Sequence, residues 1–308
     1  MKSPTVVFAA TVLIVASFAV PTSSQTTKAR AARPGSVNYV EGQASIGNQT
    51  LGANSAGSME LGVDETLTTE TGKVEILLTP GVFLRLGDHS SVKMISPGLA
   101  DTIVELQRGR ALVEVLDINK NNNIRVNQEG VSTKIINKGL YEFDANRCQI
   151  LVFKGKAEVY EGPQKATLSD EREVTFTTGP KLTPRHFEPR QYTDDLYRWS
   201  GLRSAYLSEA SVDTARIYVG TGPSWYAPGW YGPGWYWSPW YFTYTFLPAD
   251  GIFYSPFGWG FYSPVVVYRS PFFYFGYHGS HPFGEFHGPY GHGFEPRGGR
   301  PPAVSRRR

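Results

Sequence analysis

Between Gly35 and about Pro180, apolar residues recur at every second position in short runs. KVEILL (Lys73–Leu78) places Val74, Ile76 and Leu78 on one face, and TIVEL (Thr102–Leu106) does the same with Val104 and Leu106. GVSTKII aligns Val131, Thr133 and Ile135, LYEFDA aligns Tyr141 with Phe143, and QILVF aligns Ile150 with Val152. A period of two, punctuated by turn residues roughly every 8–12 positions, predicts an all-β unit of half-buried strands. Thr79–Gly81, Leu86–Asp88, Asn119–Asn123 and Asn137–Gly139 supply the turns, because Gly, Asn, Asp and Pro fix a bend or tolerate positive φ.

One phrase recurs inside this unit. EGQASI (Glu41–Ile46), RGRALV (Arg108–Val113) and KGKAEV (Lys154–Val159) each place a glycine before an alternating strand. Gly42, Gly109 and Gly155 fall where a bend or bulge would start. Ala44, Ala111 and Ala157 share a face with Ile46, Val113 and Val159. A small residue beside a branched one fits where a second layer packs close. The phrases therefore predict equivalent positions in a rolled or stacked β architecture, with chance recurrence in a β-rich chain as the alternative. Their unequal spacing excludes a strict solenoid.

The pattern changes at Gln191–Arg216. Leu196, Trp199, Arg203, Tyr206 and Ala210 recur at helical steps, with Arg203 at the stripe's edge and Gly201 weakening it. Thr193 is the expected cap, with Asp194 and Asp195 in the first turn, where the helix dipole favours acids. The helix is read as packing on the β unit; docking of a partner is the bolder alternative. From Ile217 onward the chain holds 29 of its 43 aromatics, 16 Gly and 13 Pro, but no Lys. Prolines argue against a regular sheet through most of it, so a largely irregular chain is expected, with some aromatics resting on the folded part.

At the other end, Lys2 precedes the apolar run Val6–Val20, which is short for a membrane span and is followed by PTSSQTT. This is the layout of an export signal, either cleaved near Ser24 or kept as an anchor. No cysteine follows it to take a lipid anchor, and no later segment has the apolarity of a membrane helix. The expected organisation is thus a signal (1–24), a basic linker (25–34), the β unit (35–180), the helix (191–216) and the aromatic region (217–308).

Charge and chemistry change this picture little. The formal net charge of +3 selects no partner. The one cysteine, Cys148, forms no intrachain disulfide and reads as a small hydrophobe. His89 reads as a surface turn histidine. No phosphate-binding loop, nucleophile elbow, HExxH helix or CxxC pair is present, and no carboxylate pair stands out, so an enzyme and a bound cofactor are not expected. His278, His281, His287 and His292 lie in a Gly-rich run with Glu285 nearby; they are candidate ligands for a borderline metal ion, or a polar tail. Arg306, Arg307 and Arg308 are candidate contacts to an anionic surface, or a solvated basic end.

The succession GSVNYVEGQASI, ETLTTETGKVEILLTPGVFLRLGDHSSVKM, IVELQRGRALVEVL and VSTKIINKGLYEFDANRCQILVFKGKAEVYEG resembles the FecR-type periplasmic domain over about Gly35–Gly179. That resemblance implies a β-rich extracytoplasmic domain, which in the founding members relays a signal from an outer-membrane receptor to a sigma factor. Those members carry a cytoplasmic sigma-binding segment and a membrane helix ahead of the domain. Here a signal peptide is read in that place, so the domain carries over and the regulator function does not. The helix-then-aromatic layout resembles tails found behind FecR-like domains in exported bacterial proteins.

The expectation is a non-enzymatic exported envelope protein of periplasm or cell surface. Its β domain would bind a protein or polysaccharide, and its aromatic tail would mediate contact and self-association, since aromatic rings bury large area at low entropy cost. The alternative is a periplasmic sensing module acting in trans with a membrane partner. Nucleic acid is not an expected partner of an exported chain.

Overall fold

The computed structural model describes residues 31–176, 181–219 and 232–269. Its centre is a 15-stranded, mostly antiparallel sheet folded over on itself, so that two half-sheets face each other across one apolar core. Val37–Ile46 (β1) and Thr66–Leu77 (β3) form a long ribbon that runs through both halves, with Gln49–Leu51 (β2) beside β1.

In the first half, called sheet A, β3 pairs through Thr66–Thr68 with Ser91–Pro97 (β5). Asp101–Arg108 (β6), Asn123–Gln128 (β8), Val131–Ile135 (β9), Ala157–Glu161 (β12) and Gln164–Leu168 (β13) follow in order, β6 and β8 being parallel. In sheet B, β3 pairs through Val74–Leu77 with Val82–Leu86 (β4). Arg110–Val115 (β7), Gly139–Asp144 (β10), Gln149–Lys154 (β11), Arg172–Thr175 (β14) and Arg185–His186 (β15) complete that half. Leu182 joins the core and Phe187 a neighbouring cluster, so the unit runs past residue 180.

The core takes the faces that the alternation assigns: Val74, Ile76 and Leu78; Val104 and Leu106; Tyr141 and Phe143; Ile150 and Val152. The recurring glycines stand where strands pass from one half-sheet to the other. β1 switches at Gly42, opposite Gly72 of β3; β6 gives way to β7 at Gly109, and β11 to β12 at Gly155. Their φ values are +70°, +75° and +108°. A Cβ at Gly42 would overlap the Thr71 carbonyl, at Gly109 the Ser90 side chain, and at Gly155 the Tyr141 hydroxyl. In the second and third copies the following residue donates its N–H to that same neighbour, Arg110 to Ser90 Oγ at 2.9 Å and Lys156 to Tyr141 Oη at 3.0 Å. The phrase marks places where two crossings press together, with a small and a branched residue (Ala44 and Ile46, Ala111 and Val113, Ala157 and Val159) then entering the core.

Half-burial holds for sheet A and for β14 near the edge of sheet B. In sheet B, β4, β10 and most of β7 and β11 are buried on both faces. The reason is Asp195–Val219 (α1), which lies over the outer face together with two short hairpins. Gly234–Ser238 (β16) pairs with Thr243–Leu247 (β17), and Ile252–Tyr254 (β18) pairs with Gly260–Tyr262 (β19); Pro264–Arg269 (α2) then packs on α1. The aromatic region is thus more regular here than its prolines predict. Pro239 and Pro248 sit immediately after strands, Pro256 sits in the β18–β19 turn, and Pro264 opens α2, so none interrupts a ladder.

The helix also departs from expectation in detail. Asp194, not Thr193, caps it: Tyr197 N donates to Asp194 Oδ1 at 3.1 Å, while the Thr193 hydroxyl donates backward to the Arg190 carbonyl. α1 runs past Arg216 to Val219. Arg203 is buried at the centre of the packed face rather than at its edge, and Tyr206 is exposed.

Candidate functional site

Three surfaces carry the unusual chemistry, and the first is interior. Glu75 (β3), Arg85 (β4) and Glu114 (β7) project from the outer face of sheet B, all fully buried. Arg85 Nε donates to Glu75 at 2.8 Å and Nη1 to Glu114 at 2.6 Å. The helix completes the rack: Arg203 donates to Glu75 at 3.0 Å and Ser204 to Glu114 at 2.7 Å. Asn38 Nδ2 donates to Glu75 at 2.9 Å, and its Oδ1 accepts from Thr243 Oγ1 and from Tyr244 N, fastening β17 to the same cluster. Burial alone would raise the Glu75 carboxyl, but Arg203 and Arg85 together bring it below its ordinary range. Burial works against the Arg85 charge as well, and Glu114 and Glu75 more than offset it. Two cations and two anions close the set, so its chemistry is fastening.

At the helix start, Lys73 bridges Asp88 and Asp195, Arg110 bridges Glu142 and Asp194, and Trp199 Nε1 donates to Glu41 at 2.8 Å. Around the rack lie Leu77, Phe83, Leu116, Leu207, Tyr244, Phe246 and Phe261 on one side, and Leu112, Leu140, Leu151, Phe153 and Trp199 on the other. Trp235 meets Phe83 edge-on at 4.8 Å.

The second surface is the tip of the β16–β17 hairpin. Trp240 and Phe242 are each 73% exposed, and Phe242 holds a left-handed φ of +50°. A bulky aromatic residue there is strained. Tyr241 anchors the tip: its ring meets Tyr206 at 4.9 Å and its hydroxyl donates to Asp213 at 3.2 Å. Burial, with Asp213 and Glu209 adding to it, pushes the Tyr241 phenol up to about 12, so it remains a donor. Tyr206 and the carboxylates Glu209 and Asp213 of α1 thus flank the exposed rings of the tip through Tyr241.

The third is the outer face of sheet A, which neither α1 nor the two hairpins cover. Two rows of side chains cross it in register. One is Ile103, Arg125, Lys134, Glu158 and Thr167; the other is Glu105, Asn127, Ser132, Tyr160 and Lys165. Arg125 and Lys134 are direct cross-strand neighbours.

Of the residues singled out in the sequence, His278, His281, His287, His292, Arg306, Arg307 and Arg308 lie outside the described residues, as does the apolar run after Lys2. Among the described residues no group of His, Cys, Asp and Glu is placed to hold a metal ion, and no helix is long and apolar enough to cross a membrane. Cys148 sits half-buried in the β10–β11 turn at φ +51° against the core, where burial raises its thiol pKa. His89 occupies the β4–β5 turn at φ +51°, 3.7 Å from Glu70. Sequence reading missed the buried rack, whose signal was a charge inside otherwise apolar runs (VFLRL, KVEILL, LVEVL). It also missed the Trp240–Phe242 tip, which its composition hid among similar residues.

No protein-family model matches the chain, and no curated protein matches it. Among solved structures, two crystal structures of a candidate anti-sigma factor from Parabacteroides distasonis ATCC 8503 are similar, at 16% and 15% identity and a TM-score of 0.36 each. Each match covers 42% of this chain and 62% of the other, so the chain spans less than two thirds of that protein's length.

Proposed function

We propose that the chain is an exported, non-enzymatic envelope protein in which a FecR-like β unit is an interaction module and the aromatic region attaches it to the cell surface. The observation that carries this reading is the division of labour among the aromatics. Trp235, Trp237, Tyr244, Phe246, Phe253, Phe257 and Phe261 pack in the clusters that cover sheet B, yet Trp240 and Phe242 stand out in solvent at a strained turn as the most exposed rings among the described residues. Adjacent exposed rings of this kind mark a contact surface. Export rests on Lys2 and the Val6–Val20 run.

The test is fractionation of a native host that expresses the full chain, a chain ending at Arg269, and the double variant Trp240→Ala/Phe242→Ala. The full chain is expected with the outer membrane or sacculus, and the double variant shifted to the soluble periplasm. If all three stay soluble, surface attachment fails, and a sensing module acting in trans on a membrane partner takes its place.

A further inference from the structure

We infer that the open face of sheet A binds an acidic polysaccharide, one whose sugar rings carry carboxylates. The inference rests on reading the β unit as a glycan-interaction module and names the glycan's chemistry. Arg125 and Lys134 face each other directly across β8 and β9. Like charges in that position repel, and a sheet normally avoids them. Of the described residues, only the Glu158 carboxylate bears on the pair, through Lys134, and more weakly than Lys165 and Tyr160 engage it. Among the described residues no carboxylate lies within ion-pair distance of either. Glu158, the partner of Lys134 on its other side, is taken by Lys165 at 2.8 Å and by the Tyr160 hydroxyl at 2.5 Å.

Arg125 is nevertheless held in place, by neutral groups. Its Nε donates to Asn123 Oδ1 at 3.0 Å and its Nη1 to Ser132 Oγ at 3.4 Å, while Asn123 is itself fixed by Asp101 at 2.6 Å. A guanidinium oriented without an acid, beside a second cation, is pre-arranged for an external anion. A sugar-bearing anion fits the rest of the face. Tyr160 stands beside the charged pair, its ring centre 5.9 Å from Arg125 and 5.4 Å from Lys165 and its hydroxyl tied to Glu158, which puts a fixed aromatic side chain next to the cations for a sugar to contact. The open face runs on across β12 and β13, giving length for a polymer.

The experiment is calorimetric titration of the purified full chain with a defined oligogalacturonate at low and high salt. Binding is expected, weakening as salt rises. Arg125→Gln and Lys134→Gln are each expected to lower affinity about tenfold. Their unfolding midpoints should be unchanged or raised, because each substitution relieves the cross-strand repulsion; a purely structural role would lower them. Tyr160→Leu should weaken oligogalacturonate binding. Neutral dextran should not bind, and polyglutamate should bind at least about tenfold more weakly than oligogalacturonate. Equal binding of polyglutamate, or a double variant Arg125→Gln/Lys134→Gln that binds like the parent, overturns the inference. Envelope fractionation that depends on Trp240 and Phe242 reports on the attachment reading alone, so either can fail without the other.

Discussion

Gly42 and Glu142 show how single positions carry this fold. Gly42 opposes Gly72 at the bend of the β1–β3 ribbon, and a side chain there would meet the Thr71 carbonyl at a φ that L-residues avoid. Gly42→Ala is expected to cost at least about 2 kcal/mol, through strain plus the clash. Gly47→Ala, also at positive φ but with open space around it, should cost about 1 kcal/mol. Urea unfolding of the two variants checks the difference, and equal losses would remove the close approach from the explanation. Glu142 is a different case. Burial pushes its carboxyl up to about 7, Arg110 opposes that, and Asp194 and Asp144 add to it. A carboxyl raised on folding holds its proton more tightly in the native state. Its contribution to stability is therefore full below its ordinary value of 4.5 and is lost as pH rises through about 7. Glu142→Gln should remove that loss, leaving stability near pH 4 unchanged and raising it near pH 8 by on the order of 3 kcal/mol. Thermal unfolding at the two pH values decides; a variant no more stable than the parent near pH 8 contradicts it.

The helix α1 shows what an element's sequence can and cannot reveal. Its existence was legible from the spacing of Leu196, Trp199 and Ala210, and its acidic start from Asp194 and Asp195. Its packed face was not fully legible, because that face also uses Ser200, Ser204, Ser208 and Ser211. Small hydroxyl residues let the helix come close and bond across, as Ser208 does to the Gly260 carbonyl at 2.5 Å, but they give no apolar stripe. Arg203 was placed at an edge for the same reason: a charge at an interior position is readable only once its partner Glu75 is known. The strands were legible wherever one face meets the core. Sheet B was misjudged as half-buried, although VFLRL and QILVF are apolar on consecutive positions, the pattern of strands covered on both sides. Removing Arg203 leaves Glu75 buried with Arg85 as its only cation. Arg203→Met is therefore expected to cost about 3 kcal/mol, whereas Arg198→Met on the exposed face of the same helix should cost under about 0.5 kcal/mol. Chemical denaturation of both variants checks this, and comparable costs would mean that the rack does not fasten the helix.

At the scale of the whole molecule, the two outer faces divide the work. Sheet A keeps its polar face open, while sheet B turns an apolar face outward and depends on α1 and the hairpins to cover it. The aromatic region up to Arg269 therefore belongs to the folded unit, and the boundary at Arg216 that the sequence suggested cuts through that cover. A chain ending at Arg216 would lose Tyr244, Phe246 and Phe261 from Leu77, Phe83 and Leu116. It would also strand Asn38 Oδ1 without Thr243 and Tyr244, and leave Ser208 without Gly260. Each large apolar side chain returned to water forfeits about 1.5–3 kcal/mol, so the loss of a cluster approaches the whole stability of a domain. The chain ending at Arg216 is expected to aggregate or to unfold at a markedly lower temperature, while the chain ending at Arg269 keeps the parent's midpoint and elutes as a discrete species. Size-exclusion chromatography with thermal unfolding distinguishes them. A well-behaved chain ending at Arg216 would mean that sheet B tolerates exposure, and the hairpins would then be free to act as an attachment device separate from the fold.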